Sequence, residues 1–120
     1  MQTIAVSANG KNLEAKVSPL FGRARFFILV DPDTLAWEAL DNLANLSNAQ
    51  GIGVAVANSL VKKNIRTVVA GSCGPKAFQT LQAAGVEVVL HVKGTVRQAL
   101  ASLKQGELSR ASRSNIRVSY

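Results

Sequence analysis

Three loops of the chain carry residues that suit the binding of an anion. The first spans residues 9–24, the second residues 51–53 and the third residues 71–76, and all three are rich in Gly, Ser, Asn or Pro. Small residues allow backbone N–H groups to approach a ligand closely, and nearby Lys and Arg side chains add positive charge. Glu14 is the one carboxylate within these loops. This composition favours a cradle for a negatively charged ligand.

Two of these loops lead directly into predicted helices. Ile52 begins a stretch with apolar residues at helical spacing up to residue 63, and Pro75 suits the first turn of another helix. A helix N-terminus presents free N–H groups and the positive end of the helix dipole. Lys11 and Lys16 in the first loop and Lys76 in the third add positive charge nearby. We therefore expect the anion to lie near these two helix starts.

The chain has one cysteine, Cys73, which stands just before a predicted helix. A thiolate is stabilised near a helix N-terminus, so Cys73 could ligate a metal or take part in redox chemistry. The alternative is a small residue that only packs in the turn. His91 ends the last predicted strand and is interpreted as a capping or hydrogen-bonding residue rather than a ligand.

Two arginines and a phenylalanine flank the start of the second predicted strand. Arg23 and Arg25 are two residues apart, so a strand would direct both to one side, where they could contact one ligand. The alternative is a solvated strand edge. Phe21 either forms an apolar wall beside the ligand or packs in the core.

The elements that must position these residues follow from hydrophobic periodicity and turn signals. The alternating or buried runs predict strands over residues 2–8, 25–31, 35–41, 66–71 and 86–91. Helices are predicted over residues 52–63, from Pro75 to just before Gly85, and from the Thr95 capping box to Gly106. Residues 42–53 are predicted to be a polar loop. The 9–24 segment is a long loop, or alternatively a hairpin whose arms extend the flanking strands.

The order of elements is β-β-β-α-β-α-β-α. Strands that are separated by helices pair in parallel through right-handed crossovers, and the first three strands can form an antiparallel meander. The expected fold is a single-domain α/β protein with a mixed five-stranded sheet covered by helices. In such sheets ligands bind beyond the carboxyl ends of the parallel strands, where the three loops would meet.

Length and charge limit the organisation of the chain. Its 120 residues are 48% hydrophobic, which is enough for one domain with a buried core. We predict a domain over residues 1–108 and a loose basic tail over residues 109–120. The tail holds three arginines, and without them the net charge falls from +7 to +4. A basic balance favours anionic partners but does not choose among them.

Several function classes fit the sequence poorly. The first strand carries no carboxylate for a two-metal nuclease, and no Ser-His-Asp or Cys-His set is evident. Basic residues are dispersed and lack an aromatic stacking platform, so nucleic-acid binding is not favoured, although the tail could bind without sequence preference. No signal peptide or membrane-spanning run is recognised, so we expect a cytoplasmic protein without a membrane partner, and a monomer.

Several motifs together resemble the nitrogenase iron–molybdenum cofactor biosynthesis and carrier family. Residues 16–24 read KVSPLFGRA and are followed by an apolar strand. Residues 71–81 read GSCGPKAFQTL, residues 84–88 read AGVEV and residues 94–100 read GTVRQAL. The resemblance covers residues 1–108.

The resemblance implies a ribonuclease-H-like sheet and a metal–sulfur ligand. Members bind metal–sulfur clusters or cofactor precursors, and one small stand-alone member carries a molybdenum–copper sulfide cluster. The resemblance therefore implies such a cluster here, with an iron–molybdenum cofactor precursor or an iron–sulfur cluster as the alternative. Many relatives have His before the Gly that starts the first helix, whereas this chain has Gln50 before Gly51. An amide is a poor ligand for a soft metal, which favours a complete anionic cluster held without protein ligands.

The expected role is a non-catalytic carrier or scaffold that exchanges its cluster with an unidentified donor or acceptor protein. The alternative is a protein- or nucleic-acid-interaction module that uses the basic surface and tail. The predicted ligand-contacting residues are Asn9, Lys16, Ser18, Phe21, Gly22, Arg23, Arg25, Gln50, Gly51, Gly53, Ser72, Cys73 and Gly74, with Cys73 as the one candidate metal ligand.

Overall fold

The computed structural model describes residues 3–46 and 52–106. The strands are β1 (Thr3–Ala8), β2 (Phe26–Val30), β3 (Trp37–Asp41), β4 (Ile65–Val69) and β5 (Glu87–Val89). The helices are α1 (Leu43–Leu46), α2 (Ile52–Lys62), α3 (Pro75–Ala83) and α4 (Val96–Lys104), with a 3-10 helix at Phe21–Arg23. Within these described ranges, no helix is long and apolar enough to cross a membrane. The predicted basic tail, residues 109–120, lies outside them.

The five strands form one mixed sheet in the order β3-β2-β1-β4-β5. β1, β2 and β3 pair antiparallel, as the meander prediction requires, while β4 pairs in parallel with both β1 and β5. This arrangement confirms the predicted α/β class and the ribonuclease-H-like sheet. The carboxyl ends of β1, β4 and β5 therefore lie along one edge of the sheet, where the predicted loops begin.

Each face of the sheet has its own hydrophobic core, because alternate residues of β1 point to opposite faces. Ala5 joins a core with residues from α2 and α3, including Leu60 and Leu81. Val6 joins a second core beneath α4, whose Val96 is fully buried. A loop that leaves the carboxyl edge of the sheet can therefore pack against either of two separate hydrophobic cores.

The helix boundaries confirm the capping signals of the sequence. Thr95 accepts a hydrogen bond from the Gln98 N–H, and the Gln98 side chain accepts one from the Thr95 N–H, which completes the predicted capping box. Asn64 follows α2 with a φ of 60°, and Gly85 follows α3 with a φ of 78°. These left-handed residues end both helices near the predicted positions.

Two segments differ from the simplest prediction. Residues 43–46 form the short helix α1 where a polar loop was predicted, and the Asp41 carboxylate accepts a hydrogen bond from the Leu43 N–H at 2.8 Å. The 9–24 segment begins as a hairpin, since Ala8 pairs with Val17 and the Asn9 N–H donates to the Lys16 carbonyl. The first half of this segment therefore forms a short hairpin, but β1 ends at Ala8 and β2 begins at Phe26, so its arms do not extend the flanking strands.

Candidate functional site

The loop after β1 lies directly against the loop after β4. The Ser72 hydroxyl donates to the Pro19 carbonyl at 2.7 Å, and the Phe21 N–H donates to the Ser72 carbonyl at 2.9 Å. The approach is so close that a Cβ on Gly71 would stand 2.7 Å from the Pro19 oxygen. Only a residue without a side chain fits there, so the two loops form one continuous surface.

Ser18 anchors this surface to the sheet. The side chain is almost fully buried, and its hydroxyl donates to the Leu20 carbonyl at 3.3 Å. The Ser18 carbonyl accepts from the hydroxyl of Ser7 in β1 at 3.1 Å and from the Gly71 N–H at 3.3 Å. Ser18 therefore holds the loop backbone in place through buried hydrogen bonds.

The 3-10 helix brings the same loop to the start of α2. A Cβ on Gly22 would lie 3.2 Å from the Cα of Gly53, so the two backbones touch. Both glycines are buried. The three predicted loops thus converge, and we call the surface formed by residues 18–23, Gly53 and residues 71–74 the loop rim.

The start of α3 forms the other end of the loop rim. Gly74 is the N-cap residue, which has no side chain of its own to cap the helix, and Pro75 occupies the first turn. The first turn of α3 contains no acidic residue. The positive end of this helix dipole therefore lacks a carboxylate partner in its own first turn, as an anion site requires.

Cys73 is a buried thiol rather than an exposed thiolate. Its side chain has no exposed surface and packs in the core with α2 and α3, with Sγ 3.7 Å from the Gly74 carbonyl oxygen. Burial raises the pKa of Cys73 to about 12, because a thiolate would lose its hydration. The expected thiolate stabilisation is therefore wrong: desolvation outweighs the helix N-terminus. Metal ligation by Cys73 stays a prediction.

Phe21 belongs to the core. It is fully buried, and its ring meets the Phe27 ring edge-on with the centroids 5.3 Å apart. Of the two interpretations, core packing matches this geometry. Phe21 therefore acts on the loop rim by fixing the 3-10 helix to the sheet.

Arg23 and Arg25 do not share a strand. Arg23 lies in the 3-10 helix, and β2 starts only at Phe26, so the two-residue spacing does not set their directions. The exposed Arg25 guanidinium binds the Asp41 carboxylate through two hydrogen bonds, at 3.1 and 3.3 Å. Its Cζ also lies 4.9 Å from the centre of the Phe26 ring. The period-two argument is therefore wrong, while Arg23 is exposed on the loop rim itself.

The ion pair between Arg25 and Asp41 shifts the pKa of both side chains. The hydrogen bond from Arg25, supported by the Leu43 N–H, lowers the pKa of Asp41 below its usual range. The same hydrogen bond raises the pKa of Arg25. Both side chains are exposed, so solvent screens the pair, and its main effect is to orient Arg25.

The other predicted cations belong to segments next to the residues of the loop rim. Lys76 is exposed in the first turn of α3, and Lys11 places its ammonium 5.8 Å from the centre of the Phe26 ring. Lys16 is exposed and pairs through its backbone with Thr95, while the exposed Asn9 closes the hairpin turn. Lys16 and Asn9 thus lie on the side of α4.

Two predicted site residues, Gln50 and Gly51, lie outside the described residues. In residues 3–46 and 52–106, no group of three or more His, Cys, Asp or Glu side chains could hold a metal ion together.

The segment that follows β5 also reaches this edge of the sheet, although the sequence motifs do not include it among the site loops. The exposed side chains of His91 and Lys93 line a groove of about 420 Å³ with Lys16 and Ser72. His91 has a φ of 65°, and its N–H donates to the Gly71 carbonyl at 2.8 Å. The carboxyl-edge rule, by which ligands bind beyond the carboxyl ends of parallel strands, would include this segment, because β5 is the third parallel strand.

Comparison with known proteins assigns the family. The sequence model of the dinitrogenase iron-molybdenum cofactor family matches residues 2–106. The structure is similar to the apo form of the orange protein from Desulfovibrio gigas, with 42% sequence identity and a TM-score of 0.93. That similarity covers 97% of this chain and 98% of the orange protein.

Two further solved structures share the fold. A Thermotoga protein of the DUF35 family is 36% identical, with a TM-score of 0.79 over 92% of this chain and 93% of its own. A Methanocaldococcus jannaschii protein is 17% identical, with a TM-score of 0.69 over 92% of this chain and 95% of its own, and shows the fold alone. No curated protein sequence matches. The length of the family match and the identity to the orange protein show that this chain belongs to the dinitrogenase iron–molybdenum cofactor family.

Proposed function

We propose that the chain is a non-catalytic carrier or scaffold that holds an anionic metal–sulfur cluster at the loop rim. The observation that carries this proposal is the convergence of the three loops, through the Ser72–Pro19 hydrogen bond and the Gly22–Gly53 contact. Membership of the iron–molybdenum cofactor family and likeness to the orange protein support a cluster or a related cofactor as the ligand.

The chemistry of the loop rim suits a sulfur-capped anion. The first turn of α3 presents backbone N–H groups and the positive end of the helix dipole, and Arg23 adds a full positive charge beside the 3-10 helix. Such groups hold sulfide atoms through charge-assisted hydrogen bonds and need no metal–protein bond. The contributions of Gln50 and Gly51, which precede α2, are part of the same proposal.

A molybdenum–copper sulfide is the proposed cargo, because the resemblance to one small stand-alone member of the family implies it. An iron–molybdenum cofactor precursor or an iron–sulfur cluster is the alternative cargo. Non-covalent holding agrees with the burial of Cys73, whose raised pKa keeps the thiol protonated. A ligand that is bound only by charge and hydrogen bonds can leave without breaking a coordinate bond, as transfer to an acceptor protein demands.

Anaerobic reconstitution tests this proposal. The apo protein is incubated with tetrathiomolybdate and a copper salt, desalted, and examined by visible absorption. We expect charge-transfer bands that stay with the protein, with molybdenum and copper in a fixed ratio to it. A colourless protein after desalting would contradict the proposal.

A further inference from the structure

A basic groove lies between the loop rim and the segment that follows β5. It encloses about 420 Å³ and is lined by residues that include Lys16, Pro19, Ser72, His91 and Lys93. We call it the α4-side groove, because its apolar floor of Val17 and Val92 belongs to the core beneath α4. The 3-10 helix and Cys73 belong to the other core. Pro19, Gly71 and Ser72 therefore form a shared wall between two compartments.

The charges of the α4-side groove are all of one sign. Lys16 and Lys93 contribute two ammonium groups, His91 contributes an imidazole, and none of the described lining residues is a carboxylate. Each of these three side chains is exposed. Two lysines with a histidine N–H donor suit a dianion better than a monoanion, since the attraction scales with the product of the charges.

The backbone that carries these cations is fixed before any ligand arrives. The Gly94 carbonyl accepts from the Val17 N–H at 2.8 Å, and Lys16 pairs with Thr95, so the two cationic segments are joined. Gly94 has a φ of 90°, where a Cβ would meet the Gln98 side chain at 2.5 Å. The left-handed His91 is held by its bond to Gly71. Fixed backbone lowers the entropy that binding must remove.

We propose that the α4-side groove binds a mononuclear tetrahedral dianion, such as molybdate, thiomolybdate or phosphate. Only the biological role of the anion rests on the proposed carrier function, since an oxo- or thio-molybdate would be the building block from which the neighbouring cluster is made. The groove volume of about 420 Å³ is many times the roughly 30 Å³ that one water molecule occupies, so the groove is far larger than one such ion. The bound anion therefore keeps part of its hydration shell and exchanges rapidly.

Titration of the ¹⁵N-labelled apo protein, without copper, tests the site. Sodium molybdate and sodium phosphate are added in separate experiments, at an ionic strength held constant with chloride. We expect saturable shifts of the amide signals of Lys16, His91, Lys93 and Gly94. Lys93→Gln should weaken binding about tenfold, because one of the two full charges is lost. Lys63→Gln is the matched control, since Lys63 lies near the starts of β1 and β4.

The two titrations identify the source of the anion. Tighter binding of molybdate assigns the groove to a cluster building block, and tighter binding of phosphate assigns it to a phosphate-bearing ligand. Either result supports the site. Shifts that do not saturate, or that are equally weakened in Lys63→Gln, overturn it.

Failure of the site and failure of the carrier function can be told apart. Lys93 is not part of the loop rim, so Lys93→Gln should reach the wild-type level of cluster when thiomolybdate and copper are in excess, even if the weaker groove slows cluster formation. Normal cluster uptake with no anion saturation overturns the groove alone. Absent cluster uptake with normal anion saturation overturns the carrier function alone.

Discussion

Gly22 and Gly53 lie back to back, so that a Cβ on Gly22 would stand 3.2 Å from the Cα of Gly53. The contact seats the 3-10 helix on the first turn of α2. It lies within a buried region next to the core of α2 and α3. A methyl group at this point would press on backbone atoms, and neither element can relieve that contact by rotating a side chain.

Gly22→Ala should lower both stability and cluster uptake. Overpacking of this kind costs about 1–3 kcal/mol in the free energy of unfolding, and separation of the two elements displaces the loop rim. Denaturant unfolding and reconstitution with thiomolybdate and copper measure the two effects. Gly85→Ala is the control: its φ of 78° strains alanine by about 1–2 kcal/mol, but the added Cβ meets nothing. A destabilised Gly22→Ala protein with full uptake would disconnect the contact from the site.

Arg23→Gln should weaken cluster binding. Removal of one charge beside a multiply charged anion lowers the affinity about tenfold. Competition for the cluster with a small thiol chelator gives the affinity. Arg66→Gln, at an exposed position of β4 near its start, is the matched control. Equal losses in both variants would indicate a general effect of net charge.

Arg25→Gln should raise the pKa of Asp41. The hydrogen bond from Arg25 is the largest cause of the lowered pKa, so its loss returns the carboxyl toward its usual range, while the Leu43 N–H retains part of the shift. A carboxyl with a lowered folded-state pKa stabilises the fold above its unfolded pKa and loses this effect as pH falls through the folded value. NMR titration of the Asp41 carboxyl measures the change. An unchanged pKa in Arg25→Gln would mean that the ion pair does not persist in solution.

Cys73 should resist thiol reagents in the folded protein and make stability fall at high pH. Its folded-state pKa of about 12 exceeds the ordinary value of 9.0, so its contribution is complete below pH 9 and is lost as pH rises toward 12. The slope is about 1.4 kcal/mol for each pH unit in that window. The free energies of unfolding of the wild type and of Cys73→Ala, compared between pH 8 and about 11, isolate the contribution of the Cys73 thiol.

The same substitution decides the role of the thiol in cluster binding. We expect Cys73→Ala to keep its cluster, with some loss of stability from the missing sulfur atom. Rapid labelling of the native thiol at neutral pH, or loss of the cluster in Cys73→Ala, would show that Cys73 reaches the ligand.

The antiparallel meander, the parallel pairing of the later strands and the meeting of the loops follow from the sequence because they are set by long-range patterns. Alternating helices and strands fix the parallel pairs, and the carboxyl-edge rule then places residues 71–76 near the end of β1. The predictions for single side chains were weaker. Strand spacing predicts that the Arg25 side chain points to the same side as Arg23. In the structure its direction is determined by Asp41, which is sixteen residues away in sequence.

Burial is the other property that local sequence does not reveal. Cys73 has the neighbours of a reactive cysteine, namely a turn and a helix start, yet α2 and α3 close over it. The Ser72–Pro19 hydrogen bond joins residues 53 positions apart, so no local pattern encodes it. The predicted boundary between the domain and the tail at residue 108 stays a prediction.

The most direct test of the carrier function is anaerobic purification of the full chain from a native or metal-replete host, followed by visible absorption and elemental analysis. We predict a coloured protein with charge-transfer bands and with molybdenum and copper in simple ratio to the chain. A colourless protein without bound metal, which also fails to take up thiomolybdate with copper or an iron–sulfur precursor, would contradict the account and favour a protein- or nucleic-acid-interaction role.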